Sequence, residues 1–145
     1  MTVSRAIADP KRLRRLAAFV RPEAGARLLD VASGMMALAF ARRVREAVAL
    51  GWDVRRRRLA NVLLEPADPH HLPFPDDTFD IAACGPSFHH LPSPRSALGE
   101  MERVLRPGGR VVLDEIVASE QTVRAAATRI DWSVCATAPT RTTCV

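Results

Sequence analysis

The sequence has no tyrosine, only 5% aromatic residues and only three cysteines among its 145 residues. Cys84, Cys135 and Cys144 are odd in number and form no C-x-x-C pair, which argues against both a disulfide framework and a zinc site and suits a reducing compartment. No segment approaches the roughly 18 apolar residues that a membrane span requires, and the basic first residues lead into no apolar stretch. These absences predict a soluble, cytoplasmic protein.

Acidic residues are in the minority, and the formal net charge is +5. Of the 21 basic residues all but Lys11 are arginine, and four arginines form the run 55–58. Such a run can bind nucleic acid, but it contains no aromatic residue to stack on bases, and Trp52 beside it stands alone. An arginine excess with abundant alanine is also typical of GC-rich coding sequence. We therefore predict no nucleic-acid partner.

The length suits one domain, in which apolar strands alternate with segments of helical periodicity. The predicted strands are 27–31, 47–50, 61–65, 79–84 and 110–116, and the predicted helices are one from Asp9-Pro10 towards Pro22, 38–44, one from Ser93-Pro94 to Pro107-Gly108-Gly109, and 119–130. Nearly continuous apolar strands are expected when a parallel sheet is covered on both faces. The pattern predicts an α/β fold with a Rossmann-like, doubly wound, mostly parallel sheet, which binds ligands beyond the carboxyl ends of its strands.

Two stretches carry a resemblance to a known family. Residues 72–80 read LPFPDDTFD, and His89-His90-Leu91 is followed over 97–110 by ALGEMERVLRPGGR. In register with each other, they resemble the class I S-adenosylmethionine-dependent methyltransferases, in the small-molecule group that includes quinone and sterol methyltransferases. The resemblance spans about residues 27–119. It implies S-adenosylmethionine as the cofactor and a small organic molecule as the methyl acceptor.

The resemblance implies a cofactor site in three parts. The first is the turn after the first strand, for which the resemblance implies Asp30, Ala32, Ser33 and Gly34 as cofactor-binding residues. Asp30 and Gly34 match the family, while Met35 and Met36 replace the usual threonine and glycine and the next helix begins about two residues earlier. A glycine there lets the backbone lie close to the cofactor, because glycine has no Cβ and tolerates φ > 0. A plain strand-to-helix turn that binds nothing is the alternative.

The other two parts are carboxylates. Asp53, at the end of the second strand, matches the residue that accepts hydrogen bonds from the ribose hydroxyls, although a solvated surface aspartate is the alternative. Asp68, after the third strand, matches the acidic residue near the adenine amino group. The residue after it usually offers its backbone N–H to the adenine ring, and Pro69 has none.

Two segments are shorter than in the family. Only residues 54–60 separate Asp53 from the third strand, so the usual crossover helix is predicted to be missing, with the arginine run as its remnant. One face of the sheet is then expected to be uncovered, where a homo- or hetero-oligomeric partner would protect it. Residues 131–145 show neither helical nor strand periodicity. We expect a methyltransferase-like domain over 1–130, truncated at its C-terminal end, and a disordered tail over 131–145.

The sequence does not identify a catalytic residue. His89 or His90 is a candidate base for deprotonating the acceptor, but a structural role for the pair is the alternative. A metal site built from His70, His71, His89 and His90 would need supporting carboxylates that cannot be placed, and we predict no metal. Three interpretations stay open: a methyltransferase acting on a small organic acceptor, a non-catalytic relative that binds a partner chain, and the remnant of a damaged coding sequence.

Overall fold

The computed structural model describes residues 10–32, 34–51, 59–85, 88–115, 133–137 and 140–144. The helices are α1 (Pro10–Val20), α2 (Met35–Phe40) and α3 (Pro94–Val104), with short 3₁₀ segments at Ala41–Arg43 and Phe88–His90. The strands are β1 (Arg27–Asp30), β2 (Glu46–Ala49), β3 (Val62–Leu64), β4 (Phe79–Cys84), β5 (Leu105–Glu115), β6 (Ser133–Thr137) and β7 (Thr140–Cys144). No helix among these residues is long and apolar enough to cross a membrane.

The strands form one sheet in the order β3-β2-β1-β4-β5-β7-β6. The first five strands pair in parallel, β7 pairs antiparallel to β5, and β6 pairs antiparallel to β7. The prediction of a doubly wound, mostly parallel α/β sheet is therefore confirmed. Because the chain returns to the middle of the sheet after β3, the strand order reverses between β1 and β4.

Each face of the sheet has its own apolar cluster, because successive side chains of a strand point to opposite faces. On one face, α1 and α2 cover residues such as Leu28, Ala47 and Ile81. On the other face, α3 covers residues such as Leu29 and Val48. The helical residues that make these contacts are Leu16, Ala17, Val20, Met36, Ala37 and Phe40 on the first face and Leu98, Met101 and Val104 on the second.

The helix after β1 begins earlier than the sequence predicts. We predict a helix over 38–44, whereas α2 begins at Met35, ends at Phe40 and continues as the 3₁₀ segment. Both methionines are therefore helical, and only residues 31–34 make the turn. The spacing misleads because Met35 and Met36 are buried, so the apolar face of the helix includes the residues that the prediction placed in the turn.

The strand β5 also begins earlier than predicted. Leu105 is expected on the buried face of the preceding helix, but α3 ends at Val104 and Leu105 opens β5 opposite Phe79. Pro107 explains the early stop, because a proline cannot continue a helix and disfavours helical backbone in the residue before it. Gly108 then adopts φ 79°, and the register with β4 shifts between Phe79 and Ile81.

The strand β3 forms one edge of the sheet, with Leu63 opposite Val48 of β2. Leu63 is 49% exposed and is the one exposed large apolar side chain among the described residues. Asn61 ties the start of the strand to the end of the 3₁₀ segment, since its Nδ2 donates to the carbonyls of Ala41 (2.6 Å) and Val44 (3.1 Å). Residues 52–58 lie outside the described part, so the missing crossover helix stays a prediction.

The last two strands occupy a segment for which the sequence predicts no regular structure. Thr140–Cys144 pairs with β5 from Val112 to Glu115, and Ser133–Thr137 pairs with Thr140–Cys144. The frequent threonines of this segment favour strands, because β-branched side chains suit a pleated surface. The division into a domain over 1–130 and a tail over 131–145 stays a prediction, and the predicted helix 119–130 lies outside the described residues.

Candidate cofactor site at the carboxyl ends of the strands

The reversal of strand order between β1 and β4 marks the place where a doubly wound sheet binds its ligand. The two strands pair with Asp30 opposite Ala83, so the turn after β1 and the end of β4 face the same edge. The helix α2 after β1 packs on one face of the sheet and α3 after β4 packs on the other, an arrangement in which a crevice is expected between the two connections. The segments nearest to it are the turn 31–34 and the residues after Cys84.

Asp30 shapes the turn after β1. Its side chain is 0% exposed, its Oδ1 accepts the backbone N–H of Ala32 at 3.0 Å, and its Oδ2 accepts that of Ala37 at 2.9 Å. Burial raises the pKa of the carboxyl, while the N–H groups of Ala37, Ala32, Met36 and Gly34 act in the opposite direction. The carboxylate thus accepts hydrogen bonds from the donors that a helix leaves unused at its start. Its oxygens are directed into the protein rather than towards a ligand.

Gly34 completes this turn in the left-handed region, with φ 87°, immediately before α2. A residue with a Cβ would be strained there by about 1 kcal/mol. Of the four residues that the resemblance assigns to this turn, Asp30, Ala32 and Gly34 lie together as expected, and Ser33 lies outside the described residues. The turn therefore places Gly34 in the left-handed region directly before α2, with Asp30 behind it.

Met35 changes the surface beside the crevice. A Cβ on Gly85, just after β4, would lie 3.6 Å from Cε of Met35 and 3.9 Å from Cγ of Met36. Met35 is 6% exposed, so its thioether packs over the end of β4 at the point where the strand order reverses. A glycine at position 35 would leave that space open.

Asp68 lies after β3 on the same edge of the sheet and is 57% exposed. Its Oδ1 accepts the backbone N–H of His70 at 2.9 Å and lies 2.7 Å from the Nδ1 of that residue, and these hydrogen bonds lower the pKa of the Asp68 carboxyl. The N–H of Ser93 donates to Nε2 of His70 at 3.3 Å, which places the ring proton on Nδ1. His71 Nδ1 is 3.7 Å from the other oxygen of Asp68. The exposed carboxylate is therefore held in one orientation and can accept a further hydrogen bond from solvent or a ligand.

The loop 72–76 is bound to α3 by Arg103 and Glu100. Arg103 donates to the carbonyls of Leu72 and Phe74 and to the carboxylate of Asp76, and it pairs with Glu100 through two hydrogen bonds. Glu100 also accepts the N–H of Leu72 at 2.8 Å. Both residues belong to the stretch 97–110 that carries the family resemblance, but the sequence alone gives them no role. Their i, i+3 spacing on a helix was the available signal, but it does not show what else the pair binds.

Asp114 is another site feature that the sequence does not indicate. It lies near the end of β5, 1% exposed, and Asp30 and Asp114 are the two buried charged residues of the described part. Val112 and Leu28 pack on the α1 and α2 face, so Asp114 and Asp30, two residues further along their strands, point to that face as well. In the sequence, Asp114 is only one polar residue after an apolar run.

The remaining predicted site residues are less informative. Asp53 lies outside the described residues, as does the side chain of His89. His90 is exposed at the end of its 3₁₀ segment. Within the described ranges, no group of three or more histidine, cysteine, aspartate or glutamate side chains could hold a metal ion.

A cleft of about 300 Å³ at the opposite edge of the sheet has a structural explanation. Asp80 accepts the N–H of Arg27 at 2.8 Å and pairs with Arg106 at 3.2 Å. Arg110 donates to the carbonyl of Val20 at 2.6 Å. These groups join the amino ends of the strands to one another and to α1, so the ligand site is expected at the carboxyl edge.

Comparison with known proteins agrees with this geometry. A family described as a methyltransferase domain matches residues 24–113. The demethylmenaquinone methyltransferase of Clavibacter sepedonicus is 40% identical over 106 residues, which cover 66% of this chain and 43% of that protein. The crystal structure of YcgJ from Bacillus subtilis superimposes with a TM-score of 0.68 at 30% identity, covering 79% of this chain and 54% of that one. The crystal structure of a SAM-dependent methyltransferase from Aquifex aeolicus superimposes with a TM-score of 0.74 at 19% identity, covering 97% of this chain and 95% of that one.

The sheet order and the comparisons therefore define the Rossmann-like fold of the class I methyltransferases. The chain belongs to the class I S-adenosylmethionine-dependent methyltransferase family, whose cofactor is S-adenosylmethionine. It spans only about half of the length of the curated relatives that it matches, 43% of the Clavibacter and YcgJ proteins and 55% of a Thermus thermophilus demethylmenaquinone methyltransferase.

Proposed function

We propose that this chain transfers a methyl group from S-adenosylmethionine to a small organic acceptor. The observation that carries the proposal is the carboxyl edge of the sheet, where the turn ending in Gly34 and the exposed, oriented carboxylate of Asp68 lie on either side of β2. This arrangement fits the cofactor, because a turn without a Cβ at Gly34 allows close approach and a carboxylate accepts an amino hydrogen.

Each site residue has a proposed role. Ala32, Ser33 and Gly34 present backbone to the cofactor, and Asp30 fixes that backbone from behind through the N–H groups of Ala32 and Ala37. Asp53 accepts hydrogen bonds from the ribose, and Asp68 accepts one from the adenine amino group. When bound, the cofactor supplies an electrophilic methyl group, and the protein contributes mainly the alignment of acceptor and methyl group. Quinone precursors are the first acceptors to test, since Clavibacter and Geobacter relatives are quinone-pathway methyltransferases.

Calorimetric titration with S-adenosylmethionine and S-adenosylhomocysteine tests the proposal. We expect saturable binding by the folded wild-type chain, and binding weakened about tenfold in Asp68→Asn and in Asp53→Asn, since each loses a charged acceptor. The control is Glu65→Gln, which removes an exposed carboxylate three residues before Asp68 and is expected to bind like wild type. A chain that is folded by circular dichroism yet binds neither compound would contradict the proposal.

A partner chain at the β3 edge is a separate part of the proposal. It is supported by the 49% exposure of Leu63, on the strand that stands at one end of the order of the described strands. Sedimentation of the purified chain tests self-association, and Leu63→Ser is expected to shift any dimer towards monomer. A wild-type chain that stays monomeric at high concentration would exclude a homo-oligomer.

A further inference from the structure

We propose that Glu100 and Arg103 are positioning residues for adenine recognition, because they hold the loop that orients Asp68. This inference rests on the proposed function. The contacts that carry it run from α3 to Leu72 and from there through His70 to Asp68.

The planar guanidinium group of Arg103 binds the loop at several points. Its Nη1 donates to the carbonyl of Phe74 at 2.9 Å and to Oδ1 of Asp76 at 2.8 Å, and its Nη2 donates to the carbonyl of Leu72 at 3.0 Å. Three alternate residues of the loop are thus bound by one side chain. A lysine has the same charge but a single ammonium group, which cannot reach these acceptors in the same fixed geometry.

Glu100 holds the guanidinium and the loop together. Its Oε1 accepts Nε of Arg103 at 2.7 Å, and its Oε2 accepts both Nη2 of Arg103 at 2.9 Å and the N–H of Leu72 at 2.8 Å. Leu72 is therefore bound on both sides, by Glu100 through its N–H and by Arg103 through its carbonyl. Its side chain is also buried under α3, so both the backbone and the side chain of this residue are fixed.

Asp68 depends on this fixed point. The N–H of His71 donates to the carbonyl of Asp68 at 3.0 Å, which closes a tight turn directly before Leu72. Within that turn, the backbone N–H and the ring of His70 both bind Oδ1 of Asp68, and Ser93 at the start of α3 donates to the far nitrogen of the ring. The turn is thus attached to α3 at Ser93 and at Glu100, with the Asp68 carboxylate held between the two attachments.

Arg106 provides a matched control within the same region. It donates to the carbonyl of Asp77 at 3.1 Å and pairs with Asp80 at 3.2 Å, so it also joins a loop carbonyl and a carboxylate. Its contacts lie at the amino end of β4, away from the segment that holds Asp68. Loss of its hydrogen bonds therefore reports the general effect of weakening an arginine–carboxylate pair.

The experiment compares wild type, Arg103→Lys, Glu100→Gln and Arg106→Lys, all shown to be folded by circular dichroism. The measured quantity is the ratio of dissociation constants for S-inosylhomocysteine and S-adenosylhomocysteine, since the inosine compound lacks the amino group that Asp68 is proposed to accept. We expect the preference of wild type for the adenosine compound to fall about fivefold in Arg103→Lys and in Glu100→Gln, and to remain within about twofold in Arg106→Lys. A purely structural role would weaken binding of both compounds alike and leave the ratio unchanged.

Hydrogen exchange of the free proteins gives a second measurement that needs no ligand. Amides in the segment 66–74 are expected to exchange faster in Arg103→Lys and Glu100→Gln but not in Arg106→Lys. If wild type binds the adenosine compound selectively and both variants keep its full preference, the inference is overturned while the proposed function stands. If the folded wild type binds neither compound, the proposed function fails and the inference fails with it.

Discussion

The turn after β1 lies at the carboxyl edge of the sheet, and the loop before β4 leads from the Asp68 turn at that edge towards the amino end of β4. The two segments are built in different ways. The turn is made by backbone, since the buried carboxylate of Asp30 accepts N–H groups of residues 32 and 37 and Gly34 supplies the left-handed conformation. The loop is made by side chains, since Arg103 and Glu100 bind its carbonyl and N–H groups from a neighbouring helix.

This difference shows which substitutions each region tolerates. A turn held by a carboxylate and backbone depends on few side chains, so we expect it to tolerate the methionines at positions 35 and 36, which follow Gly34. A loop held by side chains depends on the particular geometry of an arginine fork. The two aspartates differ in the same way. Asp30 is 0% exposed because its carboxylate holds the turn together, whereas Asp68 is 57% exposed because its turn directs the carboxylate towards solvent.

Removal of the Asp30 carboxylate has the largest expected effect. In Asp30→Ala the buried N–H groups of Ala32 and Ala37 lose their acceptor, and we expect a loss of about 3 kcal/mol in the free energy of unfolding. Urea denaturation followed by circular dichroism measures it. The matched variant Asp68→Ala, at an exposed carboxylate, is expected to lose much less.

If Asp30→Ala does not fold, Asp30→Asn gives the same comparison on a smaller scale. The amide keeps one acceptor oxygen, so it is expected to lie between wild type and Asp30→Ala. Equal stability of wild type and Asp30→Asn would contradict the view that the carboxylate holds the turn through both oxygens.

Truncation of Met35 tests the surface beside the turn. In Met35→Ala the thioether that packs over Gly85 is removed, which opens space where the strand order reverses. We expect a loss of about 2 kcal/mol in stability together with tighter binding of S-adenosylhomocysteine. Calorimetry and urea denaturation measure the two quantities.

The control for this variant is Met101→Ala, because Met101 belongs to α3 and is buried against the opposite face of the sheet. It is expected to lose a similar amount of stability without a gain in affinity. If both variants bind alike, Met35 does not restrict the crevice.

The sequence predicts the fold well where the apolar residues of a segment fit a single pattern, either a continuous strand run or helical spacing. The continuous apolar runs of β1, β2 and β4 identify strands covered on both faces, and the helical spacing of Ala97, Leu98, Met101 and Val104 identifies α3. The predicted starts of α2 and β5, at residues 38 and 110, lie later in the chain than the observed starts at Met35 and Leu105. In both places an apolar residue, Met35 or Leu105, fits either neighbouring element, and contacts with distant strands decide between them.

For the candidate site, the sequence predicts where the residues lie in the fold but not which contacts they make. The resemblance places Asp30, Gly34 and Asp68 at the carboxyl edge, and the structure has them there. It does not reveal that Asp30 faces inward, since this depends on which backbone N–H groups its oxygens accept. Nor does it reveal that Glu100 and Arg103 hold the loop, since those hydrogen bonds join residues about 30 positions apart. Sequence spacing contains no information on such pairs unless both lie on one helix or strand.

The smallest expected effect is the pH dependence of the loop contact. The hydrogen bond from Arg103 is the main cause that lowers the pKa of the Glu100 carboxyl below its ordinary value of 4.5. A carboxyl whose pKa is lower in the folded chain stabilises it above the unfolded pKa, and that contribution is lost as the pH falls through the folded pKa. Since the pair is partly exposed, we expect Glu100→Gln to lose only about 1 kcal/mol near neutral pH.

The stability difference between wild type and Glu100→Gln should therefore shrink when urea denaturation is repeated between about pH 6 and about pH 3. Arg106→Lys serves as the control, since it leaves the Glu100 contacts in place. A difference that stays constant over this range would mean that the charge of Glu100 does not hold the loop. The loop would then depend on the contacts of Arg103 with Leu72, Phe74 and Asp76 rather than on the charge of Glu100.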